Sequence, residues 1–362
     1  MNLHEEWERN LYKEDKRSQR KERRQITAKD RSKYKKSDQD KLSTETKPPE
    51  GDFERGRILS ITPEGAHVQS GDDSFICQLR GVLKKEKGRD KNLITVGDWV
   101  LFEKLEDNEG QIVYVEPRFS ILSRADNLSR RKQQLIAANI DQVLITASYD
   151  EPLFKPVLID RYLIAAAKGG MKGIIVLNKM DLFDDASEES QEFFDDFLEA
   201  YENAGYTVIP TSTKTGDGID RLKEEMRDKT SVFSGQSGVG KTSLINMVTG
   251  LNMRTREVVE RTKKGAHTTT YASLIPLEFG GLCIDTPGIK SFGIWDLKPE
   301  ELGSFYPDIE AFKSDCHFPN CTHTHESDCG VIKAVEEDQL SPIRYEAYQM
   351  LLEDLGEEHL RR

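Results

Sequence analysis

The segment at residues 235–243, GQSGVGKTS, constrains the fold more than any other feature of this chain. An apolar stretch, TSVFSG, leads into it, and a helical pattern, KTSLINMV, follows it. Glycines let such a turn point backbone N–H groups at an anion, and the helix N-terminus adds a dipole that favours negative charge. Strand, glycine-rich turn and helix in this order are typical of a phosphate-binding loop, which makes a chance glycine-rich turn a poor alternative.

This loop predicts a set of residues that contact the phosphates of a nucleotide. Lys241 can neutralise the β- and γ-phosphates, which also makes it a candidate catalytic residue, and Thr242 can offer its hydroxyl to Mg²⁺. The predicted phosphate-binding residues are Gly235, Gln236, Ser237, Gly238, Val239, Gly240, Lys241, Thr242 and Ser243.

A second motif, NKMD at residues 178–181, directly follows the apolar strand KGIIVL. Asp181 can accept hydrogen bonds from the ring N–H and the exocyclic amine of guanine, whereas adenine would leave this carboxylate unpaired. Comparable discriminations reach the order of 10⁴-fold. The stem of Lys179 can lie along the base, and Asn178 can tie the base motif to the phosphate loop. Met180, between Lys179 and Asp181, completes the set of predicted base-binding residues. At the end of a parallel strand in a phosphate-loop domain, this short motif is a strong signal for guanine.

A third segment, Ser212-Thr213-Lys214, follows the strand YTVIP. It resembles the S-A-K segment that supports guanine recognition through backbone N–H groups. On its own, an ordinary Ser/Thr turn is an equally good interpretation.

A fourth segment, DTPG at residues 285–288, follows the strand GLCI. Asp285 is placed to hold Mg²⁺ through water, and Gly288 can donate its N–H to a γ-phosphate. Between the phosphate loop and this motif lies RTKKGAHTTTY, in which a threonine can close over Mg²⁺. Thr268, Thr269 and Thr270 are all candidates, and Thr269 is preferred.

The residue after DTPG is Ile289, which can neither orient nor deprotonate water. We therefore expect slow intrinsic hydrolysis that a partner accelerates. His267 is the candidate catalytic residue that orients water in the activated state, and the alternative is an ordinary surface histidine near the site.

The order of these motifs is inverted, because the base motif precedes the phosphate loop. Termini of such domains often lie close together, so the same sheet can be closed with different chain ends. The sequence predicts a circularly permuted α/β domain in which the segment after DTPG leads straight into a Cys/His cluster. Loss of γ-phosphate is then expected to move that cluster as a lever.

The Cys/His cluster reads CHFPNCTHTHESDC and contains Cys316, Cys321, His323 and Cys329. Three thiolates and one imidazole form a closed, structural Zn²⁺ site with no open position for catalysis, and free thiols or a disulfide are the alternatives. Spacing alone leaves His317 and His325 open as the fourth ligand. Cys77 and Cys283 lie inside apolar strands and are expected in the core.

The remaining pattern divides the chain of 362 residues into four parts. Residues 1–50 hold 15 Lys+Arg against 11 Asp+Glu, although the whole chain carries −12, and we expect them to form a basic, disordered arm. This arm either contacts RNA or is a solvated tail. Residues 51–123 show five short strands, which are typical of an OB-type β-barrel. The basic loop of this barrel at 84–92 either binds RNA or is a solvent-exposed loop without a binding role. The α/β domain covers 124–300, and a helical zinc module covers 301–362.

Other expectations concern the location and partners of the protein. The sequence has no run of about 18 apolar residues and no apolar signal core, which predicts a cytoplasmic protein without a membrane partner. We also expect a monomer that does not bind DNA.

With these residues in view, the chain from about residue 50 to its end resembles the circularly permuted, small-ribosomal-subunit-dependent GTPase A family. The stretches that carry this resemblance are NKMDL, GQSGVGKTSLIN, GAHTTTYASLI, DTPGIKSFGI and CHFPNCTHTHESDCGV. The resemblance implies a GTPase that binds the small ribosomal subunit and its 16S rRNA, hydrolyses GTP to GDP late in subunit maturation, and is then released. It also points to His323 as the zinc ligand and to His267 in catalysis. The family often has arginine before that histidine, where this chain has Ala266.

Two other functions remain as alternatives at this point. An ATP-dependent phosphoryl-transfer enzyme is disfavoured by NKMD. An RNA-binding scaffold with a purely structural nucleotide is disfavoured by Lys241, Thr242 and Asp285.

Overall fold

The computed structural model describes residues 48–79, 93–126, 129–251, 272–285 and 297–360. The predicted arm up to residue 47, the basic loop 84–92 and the threonine segment 261–271 lie outside these residues. His267, Thr269 and Gly288 therefore lie outside as well, and for Asp285 only the backbone is described. All described residues belong to the compact unit from Pro48 to Arg362.

Five strands close into the predicted β-barrel. They are β1 (Glu54–Thr62), β2 (Gly65–Ser70), β3 (Asp73–Leu79), β4 (Trp99–Lys104) and β5 (Glu109–Val115). Each strand pairs with the next in the order β1-β2-β3-β5-β4, and β4 returns to β1, so the ring is closed. Alternate side chains point inward, and Ile58, Val68, Val100, Phe102 and Ile112 are fully buried. The order of strands and the closed ring confirm the OB-type barrel.

A two-stranded hairpin follows the barrel, formed by β6 (Ile121–Asp126) and β7 (Ser129–Ala138). The sequence gives no clear signal for this hairpin, because the stretch SRRKQQ in β7 is charged and lacks an apolar alternation. The expected domain boundary after residue 123 falls inside β6.

The second domain is a mostly parallel sheet. Its strands are β8 (Gln142–Ser148), β9 (Lys172–Asn178), β10 (Thr207–Pro210), β11 (Thr230–Gly235), β12 (Ser273–Pro276) and β13 (Leu282–Asp285). The order is β10-β9-β8-β11-β13-β12, parallel except for β12. All residues of β8 and β11 are buried, as a parallel strand covered on both faces requires. Strand β12 also meets β1 of the barrel at Ser60 and Ser273.

Four helices cover the two faces of this sheet: α1 (Pro156–Lys168), α2 (Glu188–Asn203), α3 (Ile219–Met226) and α4 (Lys241–Thr249). One core packs Val143 and Ile145 of β8 against α1 and α2, whereas Leu144 belongs to the core with α3 and α4. Helix α2 begins after Ser187, whose hydroxyl accepts the N–H of Ser190.

The C-terminal module contains α5 (Pro307–Glu310), α6 (Gly330–Glu336) and α7 (Pro342–Leu360). The chain turns between α6 and α7, with Asp338 in the left-handed region and Pro342 opening α7. The core of the module includes Leu302 and Leu351, together with Ile164 from α1. None of the described helices is long and apolar enough to span a membrane.

Candidate nucleotide site and metal centre

Three predicted motifs and the first residue of a fourth, Asp285, lie at one edge of the parallel sheet. NKMD ends β9, the Ser212 segment follows β10, the phosphate loop follows β11, and Asp285 ends β13. Because these strands are parallel, their carboxyl ends share one edge, where α/β sheets bind ligands. Motifs that are inverted along the chain are therefore brought to the same side of the sheet.

Asn178 connects three of these segments. This buried side chain donates from Nδ2 to the Val239 carbonyl at 2.9 Å, and its Oδ1 accepts the Thr213 N–H at 3.2 Å. The base motif, the phosphate loop and the Ser212 segment are thereby held by one buried amide, which rigidifies the site before any nucleotide binds.

The glycines of the phosphate loop permit this close approach. Gly240 has φ +91°, and a Cβ at this position would lie 2.2 Å from Nδ2 of Asn178. Gly235 has φ +143°, and its Cβ would lie 2.0 Å from the Thr146 carbonyl oxygen on β8. Both positions combine a backbone conformation that favours glycine with no room for a side chain.

Lys241 opens helix α4 directly after Gly240. Its Nζ donates to the Gly235 carbonyl at 2.8 Å and also to the Gln236 carbonyl. The ammonium group therefore lies within the curve of the loop, where a phosphate oxygen would meet both this charge and the helix N-terminus. Thr242 and Ser243 occupy the first turn of α4.

Asp181 is held as an ionised acceptor. The Ser212 hydroxyl donates to its Oδ1 at 2.7 Å, and Lys214 Nζ lies 3.3 Å from its Oδ2. The hydrogen bond from Ser212 is the main reason that the pKa of Asp181 is lowered, and Lys214 adds to the effect. Ser212 Oγ in turn accepts the N–H groups of Lys214 and Thr215, each at 3.2 Å. The carboxylate is oriented without help from a ligand.

The loop after β8 also belongs to this site, although sequence reasoning did not select it. The Glu151 carbonyl accepts the ammonium of Lys179, and the Tyr149 N–H donates to the Asn178 carbonyl at 2.8 Å. Pro152 lines a small cavity together with Gln236 and Val239 of the phosphate loop. Strand β8 lies between β9 and β11, so its loop must lie between their motifs. The Asp-Glu-Pro turn was visible in the sequence, but the order of the strands was not.

Three thiols and one imidazole converge in the C-terminal module. The ligand atoms of Cys316, Cys321, His323 and Cys329 all lie within 4.8 Å of one another. Sγ of Cys316 is 3.8 Å from Sγ of Cys329 and 3.5 Å from Nδ1 of His323. A tetrahedral zinc ion with Zn–S bonds of about 2.3 Å separates two sulfur ligands by roughly 3.8 Å, so this donor set fits one zinc ion.

The cluster is supported by its neighbours. His323 is 2% exposed and has φ +58°, and the Tyr345 hydroxyl donates to its carbonyl at 2.8 Å. The Glu326 carboxylate accepts the N–H groups of Thr322 at 2.6 Å and Thr324 at 3.0 Å, which lowers the pKa of Glu326 against the opposing effect of burial. These contacts fix the turn that aims the imidazole at the thiols.

The two histidines that spacing left open lie outside this cluster. The ring of His317 packs edge-on against Phe318. Nδ1 of His325 lies 2.8 Å from the Thr324 hydroxyl. The geometry therefore favours His323 as the fourth ligand.

Comparisons with known proteins agree with this architecture. The family model described as RsgA GTPase matches residues 115–295. The small ribosomal subunit biogenesis GTPase RsgA of Chlorobaculum parvum is 42% identical over an alignment of 313 residues that covers 83% of this chain and 98% of that protein. Its counterpart in Bacteroides fragilis is 35% identical over 306 residues, and the match covers 84% of this chain and 97% of that protein.

Two solved structures share the fold. One is YloQ, a circularly permuted GTPase, with a TM-score of 0.68, 30% identity, and coverage of 85% of this chain and 96% of that chain. The other is YjeQ from Thermotoga maritima, with a TM-score of 0.67, 32% identity, and coverage of 84% and 98%. The inverted order of motifs inferred from the sequence is thus found in a known fold.

Proposed function

We propose a function from the premise that this chain belongs to the RsgA GTPase family: it hydrolyses GTP to GDP and phosphate during late maturation of the small ribosomal subunit. Curated relatives are named for the biogenesis of that subunit. The observation that carries the proposal is the buried Asn178 amide, which joins the base motif to the phosphate loop.

The residues of the site have separate tasks in this proposal. Asp181 accepts the two donors of guanine, and its fixed orientation makes an ATP-dependent enzyme the poorer alternative. The phosphate loop and Lys241 bind the phosphates and stabilise the charge that develops as the terminal phosphoryl group leaves.

The positions of the magnesium-binding candidates fit this chemistry. Strand β13 pairs with β11 so that Ile284 lies beside Val232, which brings Asp285 to the same edge as the phosphate loop. Thr242 lies in the first turn of α4. Together with Thr269, which lies outside the described residues, they would hold Mg²⁺, an ion that neutralises phosphate charge in such sites.

The proposed partners are the small ribosomal subunit with its 16S rRNA, bound by a cytoplasmic monomer with neither DNA nor membrane partners. The names of the relatives support the subunit as partner. A closed barrel of the OB type, an architecture that often binds oligonucleotides, supports the contact with RNA. The zinc ion proposed at the Cys/His cluster would be structural, because four protein ligands leave no open position.

The first prediction concerns turnover. We expect GTP hydrolysis by the protein alone to be slow, and purified small ribosomal subunits to raise it at least about tenfold. Phosphate release is measured with GTP and with ATP, and large subunits serve as the control for nonspecific RNA effects. Equal turnover with both kinds of subunit would contradict the proposed partner, and equal turnover of ATP would contradict the proposed substrate.

A second prediction concerns His267, which the sequence analysis selects and which lies outside the described residues. If this imidazole orients the attacking water, His267→Ala abolishes subunit-stimulated turnover but leaves GTP and GDP affinity unchanged. His325→Ala, which removes an exposed imidazole outside the Cys/His cluster, is the matched control. Stimulated turnover that survives in His267→Ala would show that another group orients the water.

A further inference from the structure

Arg344 of α7 is a buried guanidinium at the contact between the C-terminal module and the α/β domain. Its side chain is 1% exposed. Nε and Nη2 donate to the two oxygens of Asp308 at 2.8 and 3.2 Å, and Nη1 bonds to Asp160 of α1. A buried charge is destabilising unless it is paired, so the segments that carry these three residues must be held together for Arg344 to be accommodated.

Aromatic rings complete the surroundings of this guanidinium. Cζ of Arg344 lies 4.6 Å from the ring centres of both Tyr201 and Tyr306. The Tyr201 hydroxyl also donates to Oδ1 of Asp160 at 2.8 Å. A planar cation that both pairs with carboxylates and packs on rings uses properties of arginine that lysine lacks.

Asp160 connects this network to the phosphate loop. It belongs to α1, whose Ile159 packs in one core with Ile145 of β8, and Thr146 of β8 pairs with Gly235, the first residue of the phosphate loop. A displacement of α1 would therefore reach the phosphate loop through β8, since packed interiors transmit displacement.

Asp308 fixes the network to the C-terminal module. It lies on α5, whose Ile309 is part of the core of that module. Arg344 thus binds one carboxylate from the α/β domain, which is connected to the phosphate loop by packing, and one from the module itself.

A second ion pair between α1 and α7 provides a comparison. Arg161 Nη2 lies 2.8 Å from Asp354 Oδ2, but the two side chains are 32% and 20% exposed. Partly exposed pairs of this kind contribute little, because water competes for both charges. The two arginines span the same pair of helices, and only Arg344 is also bonded to α5.

We propose that Arg344 is a positioning residue for stimulated GTP hydrolysis, which keeps the C-terminal module and the phosphate loop moving as one body. This inference rests on the proposed function for its partner, the small ribosomal subunit. Coupling between two sites is reciprocal, so nucleotide at the phosphate loop also alters the module through the same contacts.

The test compares Arg344→Lys with Arg161→Lys. In Arg344→Lys we expect equimolar zinc and basal turnover within about twofold of the unchanged protein, but subunit-stimulated kcat lowered at least about tenfold with little change in half-saturation. Arg161→Lys should match the wild-type protein in zinc content, basal turnover and subunit-stimulated kcat. If Arg344→Lys does not fold, Asp160→Asn keeps the size of the carboxylate and should lower stimulated kcat in the same direction. Full stimulation in a folded variant of either kind would refute the inference.

A second measurement separates this inference from the proposed function. Hydrogen exchange in α7 is compared between the GDP form and a form with a non-hydrolysable GTP analogue, without any ribosomal subunit. We expect a nucleotide-dependent difference that Arg344→Lys removes. If the exchange difference is present but small ribosomal subunits stimulate neither the wild-type protein nor Arg344→Lys, the proposed partner is wrong and the proposed coupling through Arg344 is supported. If no difference exists in the unchanged protein, the coupling is wrong whatever the subunits do.

Discussion

Asp181→Asn is expected to lower the affinity for GTP by roughly 10³- to 10⁴-fold. The asparagine would keep the size of the side chain and an acceptor for the Ser212 hydroxyl, which now bonds Oδ1 at 2.7 Å. Its amide group would present a donor to the exocyclic amine of guanine, which is itself a donor. The buried mismatch replaces an attractive contact with an unsatisfied one, so the loss is large.

The same variant should gain affinity for xanthosine triphosphate. Xanthine carries a carbonyl where guanine carries its exocyclic amine, so an amide can accept the ring N–H and donate to that carbonyl. Competition binding with GTP, xanthosine triphosphate and ATP measures all three affinities, and Asp220→Asn, an exposed change of the same charge on α3, is the control. Unchanged GTP affinity in Asp181→Asn would place the base elsewhere.

Much of this site could be predicted because its chemistry is local in sequence. The phosphate loop is one continuous stretch between a strand and a helix, and NKMD is one continuous stretch after a strand. Hydrophobic patterning then identified the parallel sheet, since β8 and β11 are buried along their whole length.

The contacts that join distant segments could not be predicted in this way. The loop at Glu151 enters the site because β8 lies between β9 and β11, and no local pattern states the order of strands. The network of Arg344 joins residues that are 36 and 184 positions apart in the sequence. As single charged residues on helices, they look like ordinary solvent-facing positions.

The fourth zinc ligand could be predicted only in part, because its position depends both on local sequence and on contacts with a distant segment. Spacing selected the three cysteines but left three histidines open, because neighbouring positions in an irregular loop all lie within reach of a metal. The positive φ of His323 and the hydrogen bond from Tyr345 to its carbonyl, which aim this imidazole inward, depend on the packing of α7.

Removal of the zinc site is the second change with a large expected effect. Structural zinc contributes about 10–16 kcal/mol of apparent binding free energy in small zinc modules, and that energy is largely folding energy. The segment 316–329 forms no α-helix or β-strand in the structure, so its order depends on the Cys/His cluster and a few hydrogen bonds. His323→Ala should therefore lose most bound zinc and unfold this segment.

Nucleotide binding should largely survive this loss, because the phosphate loop lies on cores formed by the sheet and its helices, whereas the core of the module takes in only Ile164 and the partly buried Val157 from α1. Zinc content per chain, thermal unfolding and GDP affinity are measured for His323→Ala beside His325→Ala and His317→Ala, whose rings lie outside the cluster. We expect one zinc per chain in both control variants. Full zinc in His323→Ala with loss in either control would move the fourth ligand to that histidine, and full zinc in all three would mean that the thiols alone hold the metal.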